Sequence, residues 1–402
     1  MLEKLLNSDG GDYKGRTIPG DNGGVFEFVE YRDKKVVTVL GEVKIKRAYY
    51  HDRKGKAGIC PKDKALDIEG VSLSPGLRRI MARAGAYRPF VLGHEDIREM
   101  TGISVTAKEV ERVSHTIGEE AERFFSEEAA LALSESVISI KAVPVPKMYV
   151  CMDGTGVPVE KKETAGRAGK GEDGQARTRE VKLGCVFTQT GTDKNGYPVR
   201  DEESTTYTGA IETADEFSRR IYAEAKRRGM DRAGKVCVIG DGAPWIWNIA
   251  EEQFHDAIQI VDLYHAREHY WNVAKAVSAG NEAWIQQWCR NRRDELDAGK
   301  VEEVIAAIKE VSSTSEKTEE VCAREAGYFE KNKNRMRYGE FRRQGLFVGS
   351  GVLEAGCRSV IGQRLKQSGM HWTVKGANSV IALRCAFFSN RWEDFWEQRA
   401  AA

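Results

Sequence analysis

Alternation of apolar and polar positions with period two predicts strands over 35–40 and 43–46, with Gly41 between them. From about 74 to 125 the spacing becomes helical. Ser74-Pro75 reads as a helix cap followed by proline at the first helical position, and a second helix is expected over 89–100. After the turn Thr101-Gly102-Ile103-Ser104, the run Thr106-Ala107-Lys108-Glu109 is a capping box that opens a third helix. Two helices joined by a short glycine turn fit a helix-turn-helix and equally an ordinary helical hairpin. Beyond a Pro-rich linker at 144–150 the pattern changes again. Short, nearly continuous apolar runs predict buried strands at 147–152, 181–189, 204–211, 236–239 and 258–261. Helices fall between them, one from Thr213 to Gly229 and one over 244–254. Three strands, a helix, a strand, a helix and a strand make a mixed α/β sheet whose first strands are antiparallel. The stretch 266–345 is helical and charged, and 346–395 opens on Gly349-Ser350-Gly351 and continues as helices. Residues 1–35, rich in Gly and Asp, are expected to be poorly ordered.

Composition narrows the class. The 402 residues include 62 Lys+Arg against 61 Asp+Glu, a formal charge of +1, with 41% apolar and 31% charged residues. This excludes collagenous, low-complexity and acidic disordered chains. The balanced total excludes a small, uniformly basic nucleic-acid binder but not local basic surfaces. Locally, 41–64 holds eight Lys/Arg against three acids, and 331–392 holds twelve against two, Glu340 and Glu354. No run of about 18 apolar residues predicts a membrane span, and Met1-Leu2-Glu3-Lys4 does not open a secretory signal. Eight cysteines scattered without a CxxC pair fit a reduced, cytoplasmic protein.

Three acids stand out by position. Asp153 is expected to end the first strand of the α/β region, Asp241 follows the fourth, and Glu354 lies just inside a helix after a Gly-Ser-Gly turn. A single Asp-Gly is often only a turn. An acid that follows a buried apolar run is costly unless something neutralises it. Hard Mg²⁺ suits carboxylate oxygens and leaves positions for phosphate and water. The basic strip around Glu354, with Arg358, Arg364 and Lys366, fits a polyanionic substrate, and Lys44, Lys46 and Arg47 do the same near the N-terminus. Trp271, Trp284 and Trp288 are open to two readings, helical core or base stacking.

The segments 152–158 (opening Met152-Asp153-Gly154), 238–245 (with Gly240-Asp241-Gly242), 261–266 and 349–372 resemble signatures of ISKra-type insertion-sequence transposases. These have a ribonuclease H-like DDE core and are related to the ISLre type and, more distantly, to Mutator-like transposases. The last segment, from Gly349 through Arg364-Leu365-Lys366 to His371-Trp372, is the most specific, and the likeness spans roughly 35–395. The resemblance implies five strands in order 3-2-1-4-5. It also implies a basic N-terminal DNA-binding region over 1–145, a core over 146–265, a helical insertion over 266–345 and C-terminal core helices over 346–402. Asp153, Asp241 and Glu354 would then be catalytic and hold two Mg²⁺, with Mn²⁺ as substitute. The partners would be double-stranded DNA (terminal inverted repeats and target) and further copies of the chain, in a nucleoid-associated protein.

Asp262 and His265 resemble the (Cys/Asp)-x-x-His motif of Mutator-like relatives. The Asp would orient the imidazole, or the His would contact a phosphate or buttress the second Asp, or the two form a structural pair. His269, one turn on, is expected on a solvated face. In one place the chain departs from the family. Asp52 and Gly55 stand where relatives carry a CxxC pair, and Cys60 alone makes no zinc site, so no zinc is expected. Two other readings remain. One is a domesticated, inactive DNA-binding derivative. The other is a haloacid-dehalogenase-like phosphatase, whose nucleophilic Asp is absent because position 151 is Cys.

Overall fold

A short helix, Leu2–Leu6, begins the chain because Leu2 and Leu6 pack on a cluster of Val36, Val43, Ile45 and Ile68. The N-terminal stretch is therefore structured, contrary to the expectation from its Gly and Asp content. Some of its apolar residues find core, while Leu5, Val25 and Val29 stay exposed. Ile18 joins Ala48 and Tyr50, with Phe26 and Phe28 against them. The computed structural model describes residues 1–20, 24–52, 57–134, 145–169, 174–278, 280–311 and 315–401, so Gly55 and Pro144 lie outside it. The chain divides into two compact units, Met1–Ile117 and Gly118–Ala402.

In the first unit β1 (Thr17–Pro19), β2 (Val25–Thr38), β3 (Gly41–Asp52) and β4 (Ala57–Ile59) form an antiparallel sheet in chain order. The central hairpin extends the sequence-predicted strands at their outer ends. Three helices follow: α1 (Pro75–Tyr87), α2 (Phe90–Thr101) and α3 (Ala107–Leu133), the last running on into the second unit. The Ser74 hydroxyl accepts the Leu77 amide at 3.3 Å. Gly102 ends α2 in the left-handed region at φ 72°, where a side chain would be strained. The expected capping box is present. Thr106 Oγ1 accepts the Glu109 amide at 3.1 Å, and the Glu109 carboxylate accepts the Thr106 amide at 2.8 Å.

The second unit is built on a five-stranded sheet: β5 (Lys147–Pro158), β6 (Thr178–Gln189), β7 (Thr206–Ala210), β8 (Lys235–Gly240) and β9 (Ile258–Val261). The spatial order is β9-β8-β5-β6-β7, which in chain order is 3-2-1-4-5. β8 runs parallel to both β5 and β9, while β5–β6 and β6–β7 are antiparallel. Residues 148–152 of β5 are all buried, as a central strand covered on both faces requires. α4 (Ala214–Arg227), opened by a Thr213–Glu216 capping box, and α5 (Pro244–Gln253) make the crossovers. After β9 the chain is helical: α6 (Leu263–Val277), α7 (Glu282–Asp297), α8 (Val301–Glu310) and α9 (Glu316–Asn332). It returns as α10 (Gly351–Gly356), a π-helical turn over Cys357–Gly362, α11 (Val374–Phe388) and α12 (Trp392–Ala401). No described helix is long and apolar enough to cross a membrane.

Two glycines make opposite demands on this fold. A Cβ on Gly118 would overlap the Ser379 carbonyl of α11, whereas one on Gly327 in α9 would meet nothing within 4 Å. Gly118→Ala is expected to destabilise the chain by about 1–3 kcal/mol through overpacking. Gly327→Ala should stabilise it by roughly 0.5–1 kcal/mol, since alanine is the better helix former. Urea midpoints at unchanged m-value check both.

Candidate functional site

The site lies where the parallel pair β5–β8 separates. The register ends with Ile239 paired to Cys151, and the chain then carries Asp153 two residues on in β5 and Asp241 two residues on, just past β8. The two are near enough for the Asp241 charge to act on Asp153. Asp153 does not end its strand, as had been expected. β5 continues to Pro158, paired with β6 as far as Thr178, because the antiparallel neighbour outlasts the parallel one. Asp153 therefore stands on rigid backbone beside the gap that β8 leaves.

Burial pushes the Asp153 carboxyl above its ordinary value, and the Asp241 charge pushes the same way. The Cys357 thiol, donating to Asp153 Oδ2 at 3.3 Å, opposes the rise, as do the Gly154 amide at 2.7 Å and His265. Burial, and then the Asp153 charge, push the Cys357 thiol up in turn, so it stays a protonated donor. Asp241 Oδ1 accepts the Ala243 amide at 2.8 Å, a local turn that orients the carboxylate. Two neighbouring carboxylates, one of them held short of compensating charge, fit a divalent cation such as Mg²⁺.

Glu354 is exposed on α10, one turn before Cys357, and so belongs to the helix that touches Asp153. Among the described residues no three His, Cys, Asp or Glu side chains converge as a metal-binding group. Asp153 and Asp241 are together, with Glu354 at the margin. After Glu354 the helix widens into the π-turn, a feature that recurs at functional sites. Its carbonyls are collected by buried Arg384, which donates to Val360 O at 2.6 Å and to Ser359 O.

Asp262 is a tie. Oδ1 accepts the His265 amide at 2.8 Å, capping α6, and Oδ2 accepts the Ser350 amide at the start of α10. It therefore holds backbone rather than the imidazole. The His265 ring faces Glu268 at 3.5 Å, and its charge favours ionised Asp153. His269 is not on a solvated face. Its ring stacks on Tyr328 at 3.5 Å, and Nδ1 meets the Glu325 carboxylate. Trp284 and Trp288 are half-buried and stack on each other at 5.7 Å, with Arg292 over Trp288.

The expected DNA contacts divide. Lys366 is exposed and donates to Thr155 Oγ1, on the same face of β5 as Asp153. Arg358 is exposed on the π-turn. Arg364 needs correction: it is 1% exposed, lies over the Trp372 ring at 4.8 Å, and burial pushes its pKa down to about 10. A guanidinium enclosed in this way supports the core and does not face a phosphate. In the first unit Lys44 is exposed and pairs with Asp33 at 2.8 Å, and exposed Lys46 lies over the Tyr31 ring at 4.1 Å. Arg47, its side chain 13% exposed, is held by Asp63 at 2.5 Å. Cys151 is fully buried between strands, which leaves the phosphatase reading no nucleophile there.

Sequence reasoning missed Cys357, Ser350 and Tyr328. Only Cys357 carried a signal, its place one turn after Glu354. No protein-family model matches the chain, and no curated protein matches it.

Because the folded state raises the Asp153 pKa, ionised Asp153 opposes folding above that pKa and is neutral to folding below it. Asp153→Asn is therefore expected to raise the metal-free melting temperature at neutral pH, with the gain shrinking in acid. Equal gains at both pH values would contradict it. Asp262→Ala, which strands the Ser350 amide, should cost about 1–3 kcal/mol by denaturant unfolding.

Proposed function

We propose that this protein is a DDE-type transposase that cleaves DNA at the ends of an insertion sequence and joins the freed strand to target DNA. The observation that carries the reading is the placement of Asp153 on β5 and Asp241 just past β8, where the central strands of a 3-2-1-4-5 mixed sheet part. That order is the one expected of a ribonuclease H-like core. Helices α6–α9 occupy the place of the insertion between the fifth strand and the Glu354 helix.

In this reading Asp153 and Asp241 hold divalent cations from the sheet and Glu354 joins them from α10. Bound Mg²⁺ supplies charge neutralisation at the phosphoryl oxygens and activates the attacking oxygen. Lys366, tethered to Thr155, places a cation along the same strand face for a flanking phosphate, and Arg358 extends that surface. His265 offsets part of the negative charge beside Asp153. No covalent link between protein and DNA is needed. Bringing two element ends together calls for at least two copies of the chain, acting on double-stranded DNA in the nucleoid.

In the first unit α2 and α3 serve as a helix-turn-helix for the terminal repeats, with Lys44 and Lys46 on phosphates. Arg47 and Arg364 are left to structural roles by their burial.

With a duplex carrying the inverted repeats that flank the reading frame, cleavage is expected with Mg²⁺ and not with EDTA. Asp153→Ala, Asp241→Ala and Glu354→Ala should each lower the rate at least about 100-fold. Full activity in any one of them removes that residue from the site. Lys44→Ala and Lys46→Ala should each reduce the slope of log K against log salt by about 1 while changing affinity for all sequences alike.

A further inference from the structure

The reading above leaves the helical insertion as a spacer, yet one of its residues reaches the second acid. Tyr328 of α9 donates its hydroxyl to the Asp241 carbonyl at 2.8 Å. Gly242 follows at φ 102°, and a Cβ there would press on the Tyr328 ring at 2.6 Å, so only glycine lets the ring come so close. Tyr328 is half-buried, and desolvation, reinforced by the charges of Asp241 and Asp262, pushes its ionisation far up. It therefore remains a donor.

Tyr328 is itself held from two sides. His269 of α6 stacks on its ring with an interplanar angle of 13°. Nδ1 of the same imidazole meets Glu325, one turn before Tyr328 on α9. Glu325 and Tyr328 are three residues apart on one helix face and enclose His269 between carboxylate and ring. The Glu325 side chain is 3% exposed. Burial opposes its charge, but hydrogen bonds from His269 and Arg324 outweigh burial and hold its carboxyl below the usual range. A buried carboxylate, a ring stack and a phenol hydroxyl thus form one chain of contacts from α6 through α9 to the peptide that carries Asp241.

We propose that Tyr328, braced by His269 and Glu325, is a positioning residue that sets the direction of the Asp241 carboxylate for divalent cation binding. The insertion would thus be a working wall of the site. The Asp241 carbonyl is fixed by Tyr328, and its Oδ1 by the Ala243 amide, which leaves Oδ2 as the oxygen to take a cation. Freeing the carbonyl lets the 241–242 peptide rotate and takes that oxygen out of line. This proposal rests on the metal-dependent reading of the Asp153–Asp241 pair.

The test uses the full chain and Mn²⁺ as probe, titrated by electron paramagnetic resonance, with no DNA present. Tyr328→Phe keeps the ring and its stack on His269 and deletes only the hydroxyl. It is expected to raise the half-saturating Mn²⁺ concentration roughly 10-fold, as loss of an outer contact to a ligand does. The Mg²⁺ concentration for half-maximal cleavage should rise in proportion, with KM for DNA unchanged. Wild-type Mn²⁺ affinity in Tyr328→Phe overturns the positioning role and leaves the transposase reading standing. No saturable Mn²⁺ binding by the wild type overturns both. If Tyr328→Phe melts early, His269→Gln, which keeps a donor for Glu325 but removes the ring beside Tyr328, carries the same expectation. Unchanged Mn²⁺ binding in that variant overturns the role equally.

Discussion

The Asp262 carboxylate joins two points of the chain 88 residues apart, capping α6 through the His265 amide and holding the Ser350 amide at the head of α10. Between those points the chain leaves the sheet, builds four long helices and comes back. Nothing local makes it return to the strand it left, so the return has to be held. The segment before α10 is held along its length. Gly345 O accepts from Lys147 Nζ at 2.9 Å and Gln189 Nε2 at 3.0 Å, the Phe347 amide donates to the Tyr149 hydroxyl at 3.3 Å, and the Leu263 amide donates to Val348 O at 2.9 Å. Asp262 is the last and the only charged acceptor in this series. Charge-assisted bonds of this kind are worth about 1.5–3 kcal/mol, more than neutral ones. Together with the Cys357–Asp153 contact, they set where Glu354 stands relative to Asp153.

What was legible beforehand follows from how far each signal reaches along the chain. Buried strands at 236–239 and 258–261 read clearly, because a strand covered on both faces has to be apolar throughout. The boxes at Thr106–Glu109 and Thr213–Glu216 read clearly because their partners are three residues apart. The end of β5 did not, since the strand continues as long as β6 stays beside it, and that is a property of the neighbour. Arg364 looked like surface from its charge alone. Only the fold brings Trp372 beneath it and encloses it. His269 misled for the same reason, because its partners lie on a helix more than fifty residues further on.

Charge tells a related story. The near-zero total conceals a basic stretch over 331–392, but not all of those cations serve one surface. Arg384 is spent on the carbonyls of the π-turn, Arg364 on an aromatic stack, and Arg391 on Glu128 at 2.6 Å. Lys366 and Arg358 remain exposed beside Asp153 and Glu354. A count of basic residues thus overstates the surface offered to a phosphate backbone, and their burial is what distinguishes core arginines from contact residues.

The arrangement also explains why the acids sit where they do. Burial acts against ionisation of Asp153 on β5, and the Asp241 charge, just past β8, raises the cost further. A fold selected for stability alone would place an uncharged residue at one of these positions. Here two donors from different elements hold the acids, Cys357 of the π-turn on Asp153 and Tyr328 of α9 on the Asp241 peptide, while the Asp262 carboxylate after β9 accepts the Ser350 amide at the head of α10. These contacts keep the repelling groups from turning away from one another.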